Sequence, residues 1–283
     1  MLTALAWVAI DQLRLEDAGA LAEEARLIHR EVRDGRGEAY ALLKLAHTHE
    51  FCGHLDEAVS ELKQAWELYD ELDDDAGRAW VLQTLGKVHH QQGRLIEAAA
   101  DLEHALTAGR RPGDRRVEAM ALKELGLVHH SLGQPGRATA LLLQSLDLCH
   151  ESGDRFGEGW VLQDLGDMRL RQGAWREAAR ALEQALDIFR QLGVRRAEAS
   201  VLRSLGELHR AQGRLRKARA CLDAAIVIQR QLGLKPRLAQ SLAALALVQA
   251  ATGDHAAARR SRREAEQLVP VPVIGHPVLG RPR

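Results

Sequence analysis

The sequence predicts an all-α protein built from antiparallel helix pairs, and three observations carry the prediction. The apolar content, 46% of 283 residues, is mostly Leu and Ala, which are strong helix formers. Asn is absent and only 4% of residues are aromatic, so few residues favour strands or tight hairpin turns. A leucine recurs with a strict period of forty residues, at Leu42, Leu82, Leu122, Leu162, Leu202 and Leu242.

Two further columns of small residues keep this period through six copies without an insertion. The first is the glycine column Gly53, Gly93, Gly133, Gly173, Gly213 and Gly253. The second is the alanine column Ala58, Ala98, Ala138, Ala178, Ala218 and Ala258. A fixed period of this length indicates a repeat array in which each copy is one structural unit.

Each copy predicts two helices. In one copy, apolar residues at helical spacing predict a first helix over Ala79–Gln92, which Gly93 ends in a left-handed conformation. A second amphipathic helix follows from Leu95 to about Thr107. Polar turns then lead to the next copies, with Asp114 and Asp154 as expected N-caps.

Small residues mark the place where the two helices of a copy approach most closely. Gly86 in the first helix and Ala98 in the second are expected to meet there, because larger side chains would push the axes beyond the usual separation of about 8–10 Å.

These columns resemble the tetratricopeptide repeat. The pattern L-x2-L-G-x2-H…A-x3-L-x2-A is formed by Leu82, Leu85, Gly86, His89, Ala98, Leu102 and Ala105. It departs from the family pattern by Leu in place of Trp, His in place of Tyr, and a longer second helix and turn in place of the closing Pro. The resemblance covers residues 1–268 and implies a right-handed superhelical solenoid of about seven helix pairs, each contacting mainly its neighbours. Such extended repeats are similar to those of scaffold proteins and of C-terminal sensor regions in large bacterial transcriptional regulators.

The ends of the array differ from its middle. Residues 1–38 predict a degenerate copy, residues 39–268 six repeats ending in a polar capping helix, and residues 269–283 a Pro-rich mobile tail. In the last helix Arg262 replaces the apolar residue of the other copies, which is typical of a solvent-facing cap. The N-terminal edge instead looks open, so we expect the chain either to be the C-terminal part of something longer, with an upstream domain in cis, or to derive from one.

Composition also bears on location. The 39 basic and 39 acidic residues cancel, which gives no reason to expect nucleic acid as a direct partner. Cys52, Cys149 and Cys221 are scattered and show no CxxC spacing, which favours a reduced cytoplasmic protein. The N-terminus lacks a basic n-region and a small-residue cleavage site and is soon interrupted by Asp11, so we expect neither a signal peptide nor a membrane span there. The bias towards Ala, Gly and Arg indicates a bacterial sequence.

Two histidine doublets raise the alternatives of a metal site and a catalytic site. Neighbours on a helix point about 100° apart, so His89 and His90 cannot chelate one ion together, and no HExxH or cysteine pair completes a ligand set. His89 and His129 fill the column where the resembling family has Tyr, so we interpret them as packing residues. His90 and His130 belong to another column, on the other side of the helix.

In the resembling family the first helices line a concave groove that holds peptides or partner helices. Carried over residue by residue, the groove set here is Tyr40, Leu43, His47, Trp80, Gln83, Lys87, His90, Met120, Lys123, Leu127, His130, Trp160, Gln163, Asp167, Arg171, Arg203, Glu207 and Arg210. These positions vary between copies while the Leu, Gly and Ala columns hold, as recognition residues would.

Two properties of this set indicate the ligand. The large residues Tyr40, Trp80, Met120 and Trp160 share one phase and could anchor apolar side chains, or else pack against the preceding second helix. Lys87 and Lys123, with the neighbouring histidines, would bias the groove positively and favour a partly acidic segment, or else be ordinary solvated charges. The Asn-dependent clamp for a terminal carboxylate is not available in its usual form, since the chain has no Asn.

No enzymatic signature is present: there is no phosphate loop, no GxSxG elbow and no supported Cys–His arrangement. The Arg-rich stretch from Arg259 carries interleaved acids and favours a solvated face over a nucleic-acid patch. We therefore expect a non-enzymatic scaffold without cofactor, metal or membrane, which binds a protein or peptide. The alternative is the sensor or regulatory end of a bacterial transcriptional regulator whose other domains lie outside this chain.

Overall fold

The structure, a computed structural model, describes residues 15–110 and 115–268. These residues form thirteen α-helices and no strand, which confirms the predicted all-α class. The helices are α1 (Leu15–Glu31), α2 (Gly35–Cys52), α3 (Leu55–Glu71), α4 (Asp75–Gln91), α5 (Leu95–Arg110), α6 (Arg115–Ser131), α7 (Pro135–Ser152), α8 (Arg155–Arg171), α9 (Trp175–Gln191), α10 (Arg195–Ala211), α11 (Leu215–Gln231), α12 (Lys235–Ala251) and α13 (His255–Leu268).

The chain divides into two compact units, residues 1–165 and 166–283, with the division inside α8. Unit 1 contains the helix pairs α2–α3, α4–α5 and α6–α7, and unit 2 contains α9–α13. None of the described helices is long and apolar enough to cross a membrane.

The forty-residue period sets the start of every helix. First helices begin at Gly35, Asp75, Arg115, Arg155, Arg195 and Lys235, and the second helices keep the same spacing. The first helix of the copy that contains Gly86 begins at Asp75 and not at the predicted Ala79, because the Asp74 carboxylate caps it by accepting the Gly77 N–H at 2.9 Å. The second helix extends to Arg110, past the predicted end at Thr107.

The predicted turn chemistry holds where the structure describes it. The Asp154 carboxylate accepts the Gly157 N–H at 2.9 Å, as expected of an N-cap, while Asp114 lies outside the described residues. Gly93 has a φ of 77°, and the Arg94 N–H donates to the His89 carbonyl at 2.9 Å, which closes the first helix in a Schellman motif.

The close approach of the paired helices is confirmed at Gly86. A Cβ atom placed there would lie 2.5 Å from Leu102 Cγ and 3.1 Å from the Ala98 carbonyl oxygen, so only glycine fits the present separation. In unit 2, Gly206 stands in the same relation to Leu222, at 2.6 Å.

The last helix, α13, has an exposed Arg262, as the sequence pattern predicted. Its buried residues are Ala257, Ser261 and Ala265, and the Ser261 hydroxyl donates to Gln249 Oε1 at 2.9 Å. The predicted Pro-rich tail, residues 269–283, and the part of the degenerate N-terminal copy that precedes Leu15 lie outside the described residues.

Candidate functional site

The histidine column joins the two helices of a copy. His89 is 6% exposed, and its Nδ1 lies 2.6 Å from Asp101 Oδ2 on α5. His129 is equally buried, and its Nδ1 lies 2.9 Å from Gln134 Oε1. Burial raises the pKa of Asp101, although the hydrogen bond to His89 acts in the opposite direction. The structure therefore places His89 between the helices, and no metal-ligating cluster of three or more side chains occurs in the described parts of the chain.

The predicted groove residues of unit 1 lie on the first helices α2, α4, α6 and α8, but they differ in exposure. We call this surface the first-helix face of unit 1. Leu43, Gln83 and Gln163 are buried, and Tyr40 is 41% exposed. The remaining predicted members are half-buried: His47, Trp80, Lys87, His90, Met120, Lys123, Leu127, His130 and Trp160.

A polar cluster on this face connects α2 with α4. Lys87 Nζ lies 2.7 Å from Glu50 Oε1 and 2.9 Å from Glu50 Oε2, and Gln91 Nε2 donates to Oε1 at 2.6 Å. Burial would raise the pKa of Glu50, but Lys87 together with these hydrogen bonds brings it below the ordinary value. Glu50 is therefore a charged, nearly inaccessible carboxylate held by the next copy.

A second cluster continues the band from α6 to α8. Lys123 Nζ lies 2.7 Å from Glu124 Oε1 and 3.8 Å from Asp164 Oδ2. Burial disfavours the charged form of both side chains, but the attraction between them is stronger. The pKa of Glu124 is therefore lowered and that of Lys123 is raised. We call Glu50, Lys87, Gln91, Lys123, Glu124 and Asp164 the charged band.

The charged band corrects the expected positive bias of this face. Lys87 and Lys123 were expected to bias the groove positively or else to be ordinary solvated charges, whereas both are paired with carboxylates of this chain. Glu50, Glu124 and Asp164 were not among the predicted site residues. His90 also makes a contact between copies, since its Nε2 lies 2.9 Å from Ser131 Oγ on α6.

The aromatic residues beside the band combine packing with exposure. Trp80 packs on the core cluster that contains Ala65 and Tyr69 of the preceding second helix, so the packing alternative applies to it in part. Its ring also lies 6.0 Å from the Arg116 guanidinium. Lys44 Nζ lies 4.4 Å above the Tyr40 ring.

Two further groups on α2, Lys44 and His47, have pKa values that burial lowers. Burial, helped by Arg116, lowers the pKa of Lys44 to about 8. Burial also lowers the pKa of His47 to about 4, against the attraction of Glu50, so His47 is neutral at physiological pH.

In unit 2 the predicted residues are mostly charged. Arg203 Nη1 donates to Glu207 Oε1 at 2.5 Å along α10. Asp167 is half-buried, and burial raises its pKa although the charge of Arg203 opposes the change. Arg171 and Arg210 are exposed.

A cavity of about 390 Å³ opens beside these residues in unit 2. Two of its lining residues, Glu207 and Arg210, are site residues predicted from the sequence. Residues of α12 that occupy the same columns one period later were not predicted, although the period of forty could have identified them. The remaining lining residues are Gln240, Ala243, Ala244, Leu247 and Arg262.

Comparison with known proteins identifies the repeat. A family model described as tetratricopeptide repeat matches residues 37–111, 117–191 and 197–269. A search of curated protein sequences found no match.

Solved structures share the fold. A Rap protein complexed with Competence and Sporulation Factor has a TM-score of 0.75 at 16% identity, over 93% of this chain and 72% of that chain. The Rap conjugation gene regulator of the plasmid pLS20, in complex with the Phr* peptide, has a TM-score of 0.71 at 16% identity, over 96% and 75%. A signal transduction ATPase with a tetratricopeptide repeat sensor, from Pyrococcus horikoshii, has a TM-score of 0.61 at 18% identity, over 94% and 40%. At these identities the likeness concerns the fold alone.

Proposed function

The chain belongs to the tetratricopeptide-repeat family, and from this premise we propose that it is a non-enzymatic interaction scaffold whose first-helix faces bind a peptide or a helix of a partner protein. The observation that carries the proposal is the first-helix face of unit 1. There the half-buried aromatic residues Trp80 and Trp160 stand beside the charged band.

The charged band is not what helix packing alone requires. A buried ion pair costs desolvation, and apolar residues of similar volume often stabilise a fold as well or better. The packing columns of this chain, such as Ala98 and Leu102, are indeed apolar and fully buried. The fully or partly buried charge of this band is therefore better explained by recognition of a polar partner than by stability.

The solved structures support a peptide as the ligand class. One Rap structure holds the Phr* peptide and another holds Competence and Sporulation Factor. By extension, we propose that a linear segment of a partner lies along the first helices here, with its apolar side chains at Tyr40, Trp80, Met120 and Trp160.

The acidic ligand expected from the sequence requires a modification. An acidic group can reach Lys87 or Lys123 only by displacing a carboxylate of this chain, because both lysines are paired. We propose a segment of mixed charge, whose acidic groups exchange with Glu50 or Glu124 while its basic groups take up the released carboxylates.

We also propose that the protein resides in the reducing cytoplasm. Cys52, Cys149 and Cys221 are all free thiols in the structure, which is the state favoured in that compartment.

The test uses a random peptide library displayed on phage, selected on the immobilised chain and followed by affinity measurements on the enriched peptides. Trp80→Ala and Trp160→Ala should each weaken binding by about tenfold or more, as expected for anchor residues. Trp66→Ala and Trp175→Ala are matched controls, because these two exposed tryptophans lie on second helices.

Circular dichroism of each variant separates a loss of binding from a loss of fold. Enriched peptides that bind the Trp80→Ala/Trp160→Ala double variant as tightly as the parent chain would refute the proposal. A selection that enriches no peptide would also count against it.

A second candidate is a sensor region within a larger regulator, such as a bacterial transcriptional regulator. The likeness to the Pyrococcus horikoshii protein, of which this chain spans 40%, favours it. The genomic sequence before Met1 provides the test: an upstream ATPase-coding frame continuous with Met1 supports this candidate, and an in-frame stop codon immediately upstream eliminates a domain in cis.

A further inference from the structure

The formal net charge of zero is the sum of two large and opposite charges. Residues 1–165 contain 17 basic and 29 acidic side chains, whereas residues 166–283 contain 22 basic and 10 acidic ones. With histidine neutral, unit 1 therefore has a net charge of −12 and unit 2 a net charge of +12. A polyanion that unit 2 attracts would be repelled by unit 1, but a second copy of this chain complements both units.

The acidic surface of unit 1 lies at the C-terminal end of α3. It consists of four exposed residues of α3 and the turn after it: Glu67, Asp70, Glu71 and Asp73. Asp70 pairs with Arg78, but Glu67 and Glu71 form no ion pair within the described parts of the chain. The last turn of α3 has no basic residue, although the C-terminal end of a helix is the negative end of its dipole. Glu67 and Glu71 are also one turn apart, where like charges repel each other.

The basic surface of unit 2 lies at the N-terminal end of a second helix. It consists of four exposed residues around the start of α11: Arg214, Arg216, Lys217 and Arg219. Arg219 pairs with Asp223 at 3.5 Å, but Arg216 and Lys217 form no ion pair within residues 15–110 and 115–268. The second helices α3, α5 and α9 have acidic residues in the first turn, as the positive end of the dipole favours, whereas α11 has none.

Neither surface stabilises its own helix, because each set of charges lies at the end where the helix dipole disfavours it. Contact between the two surfaces removes this conflict, since carboxylates then meet ammonium and guanidinium groups, and the negative end of α3 meets the positive end of α11. Each surface also has an exposed apolar residue nearby. Trp66, 37% exposed, lies one turn before Asp70, and Val227, 53% exposed, lies three turns after Arg216 on the same face of α11.

We propose that copies of this chain associate head to tail, with the acidic surface of one copy on the basic surface of the next. The two surfaces differ, so the contact is heterologous and leaves one surface free on each outer copy; association can therefore continue beyond a dimer. Both surfaces lie on or beside second helices, whereas the residues of the proposed function lie on first helices. The inference is therefore independent of the proposed function, and either can fail alone.

The first test is sedimentation velocity of the full chain over a range of protein and salt concentrations. We expect the weight-average sedimentation coefficient to rise with protein concentration at low salt. Raising the salt from about 0.01 M to about 1 M shortens the Debye length from about 30 Å to about 3 Å, so the apparent Kd of association should increase by about tenfold or more. A chain that stays monomeric at low salt overturns the inference.

Charge reversal assigns the association to the two surfaces. Glu67→Lys/Glu71→Lys and Arg216→Glu/Lys217→Glu should each weaken it by about tenfold or more, because like charges then face each other. Both variants should remain folded, since each reversal places the charge that the helix dipole favours. An equimolar mixture of the two variants should restore association, because the unchanged basic surface of one meets the unchanged acidic surface of the other.

Asp147→Lys/Glu151→Lys is the matched control for the acidic surface. These exposed acids occupy the columns of α7 that Glu67 and Glu71 occupy in α3, but Glu151 Oε2 lies 3.8 Å from Arg115 Nη2. The control changes the net charge by the same amount and should leave the apparent Kd of association unchanged. A control that weakens association as strongly as the reversal of the acidic surface contradicts the assignment.

Two further outcomes overturn the inference. One is a mixture of the two reversed variants that stays monomeric. The other is a parent chain that stays monomeric and instead binds mixed-sequence duplex DNA through Arg216 and Lys217, which would identify the basic surface as a nucleic-acid site.

Discussion

Replacing Lys87 by Met tests whether the charged band is a set of mutually dependent charges. The substitution keeps an unbranched side chain of similar length but removes the ammonium group that lies 2.7 Å and 2.9 Å from the two oxygens of Glu50. The Glu50 side chain is 5% exposed, so water cannot replace the lost partner. The Gln91 amide, at 2.6 Å, remains as a donor to the carboxylate.

The expected loss follows from these contacts. Removing one member of a buried pair costs about 3–5 kcal/mol. Here Lys87 is itself 29% exposed and Gln91 is retained, so we expect about 2 kcal/mol. The double variant Glu50→Leu/Lys87→Met removes both charges of this pair and should recover to within about 0.5 kcal/mol of the parent chain.

The loss should also depend on pH with a definite sign. The fold lowers the pKa of Glu50. The ionised Glu50 therefore stabilises the folded chain above the pKa of the unfolded state, about 4.3, and this stabilisation is lost as the pH falls through the pKa of the folded state. Without Lys87 the burial of Glu50 is less opposed and its pKa rises. The difference between Lys87→Met and the parent chain should therefore shrink below about pH 4.

The assay is urea unfolding followed by far-ultraviolet circular dichroism at neutral and acidic pH. Lys63→Met is the control, because Lys63 is exposed on the second helix α3. A loss below about 0.5 kcal/mol for Lys87→Met, or a double variant as unstable as the single one, would refute the reasoning.

Two further predictions concern packing and burial. Gly86→Ala should destabilise the chain by about 1–2 kcal/mol, since overpacking against Leu102 outweighs the better helix propensity of Ala. Gly126→Ala should cost less, because its Cβ atom would lie 3.0 Å from Leu142 Cγ, compared with 2.5 Å between a Cβ atom at position 86 and Leu102 Cγ. Urea midpoints that do not rank in this order contradict the geometry. Lys44→Met should stabilise the chain by about 1 kcal/mol at pH 7. Since burial lowers the pKa of Lys44 to about 8, the native state binds fewer protons than the unfolded state between about pH 8 and 10.5, and the stability of the parent chain should rise with pH there; a variant with the same slope would show that another group titrates.

Periodic packing was predictable from the sequence because it repeats in every copy. Gly86 is required by the close approach of two helices and Gly93 by a left-handed turn, and both requirements recur every forty residues. The start of the helix at Asp75 was not predicted, because the prediction relied on the spacing of apolar residues. The first turn is instead stabilised by the Asp74 carboxylate, which caps the helix.

The charged band was not predictable from columns, because its contacts between neighbouring copies join different columns. Lys87 contacts Glu50, 37 residues away, and not the residue at its own position in the previous copy. Reading the lysines alone therefore suggested a positive surface.

The cavity of unit 2 escaped the sequence analysis for another reason. It depends on the small side chains of Ala243 and Ala244, which leave space, whereas the predicted site was built from large and charged residues.

The interlocking of neighbouring copies has a consequence for how the chain reaches its fold during synthesis. The contact between Gln91 and Glu50 spans 41 residues, and within each unit the described helices pack on chain neighbours and on the adjacent first helix. Contacts of such short range give a low relative contact order, which is associated with fast folding. A growing chain can thus complete each copy as soon as the next first helix leaves the ribosome, so ordering proceeds from the N-terminal copies onward at the pace of translation.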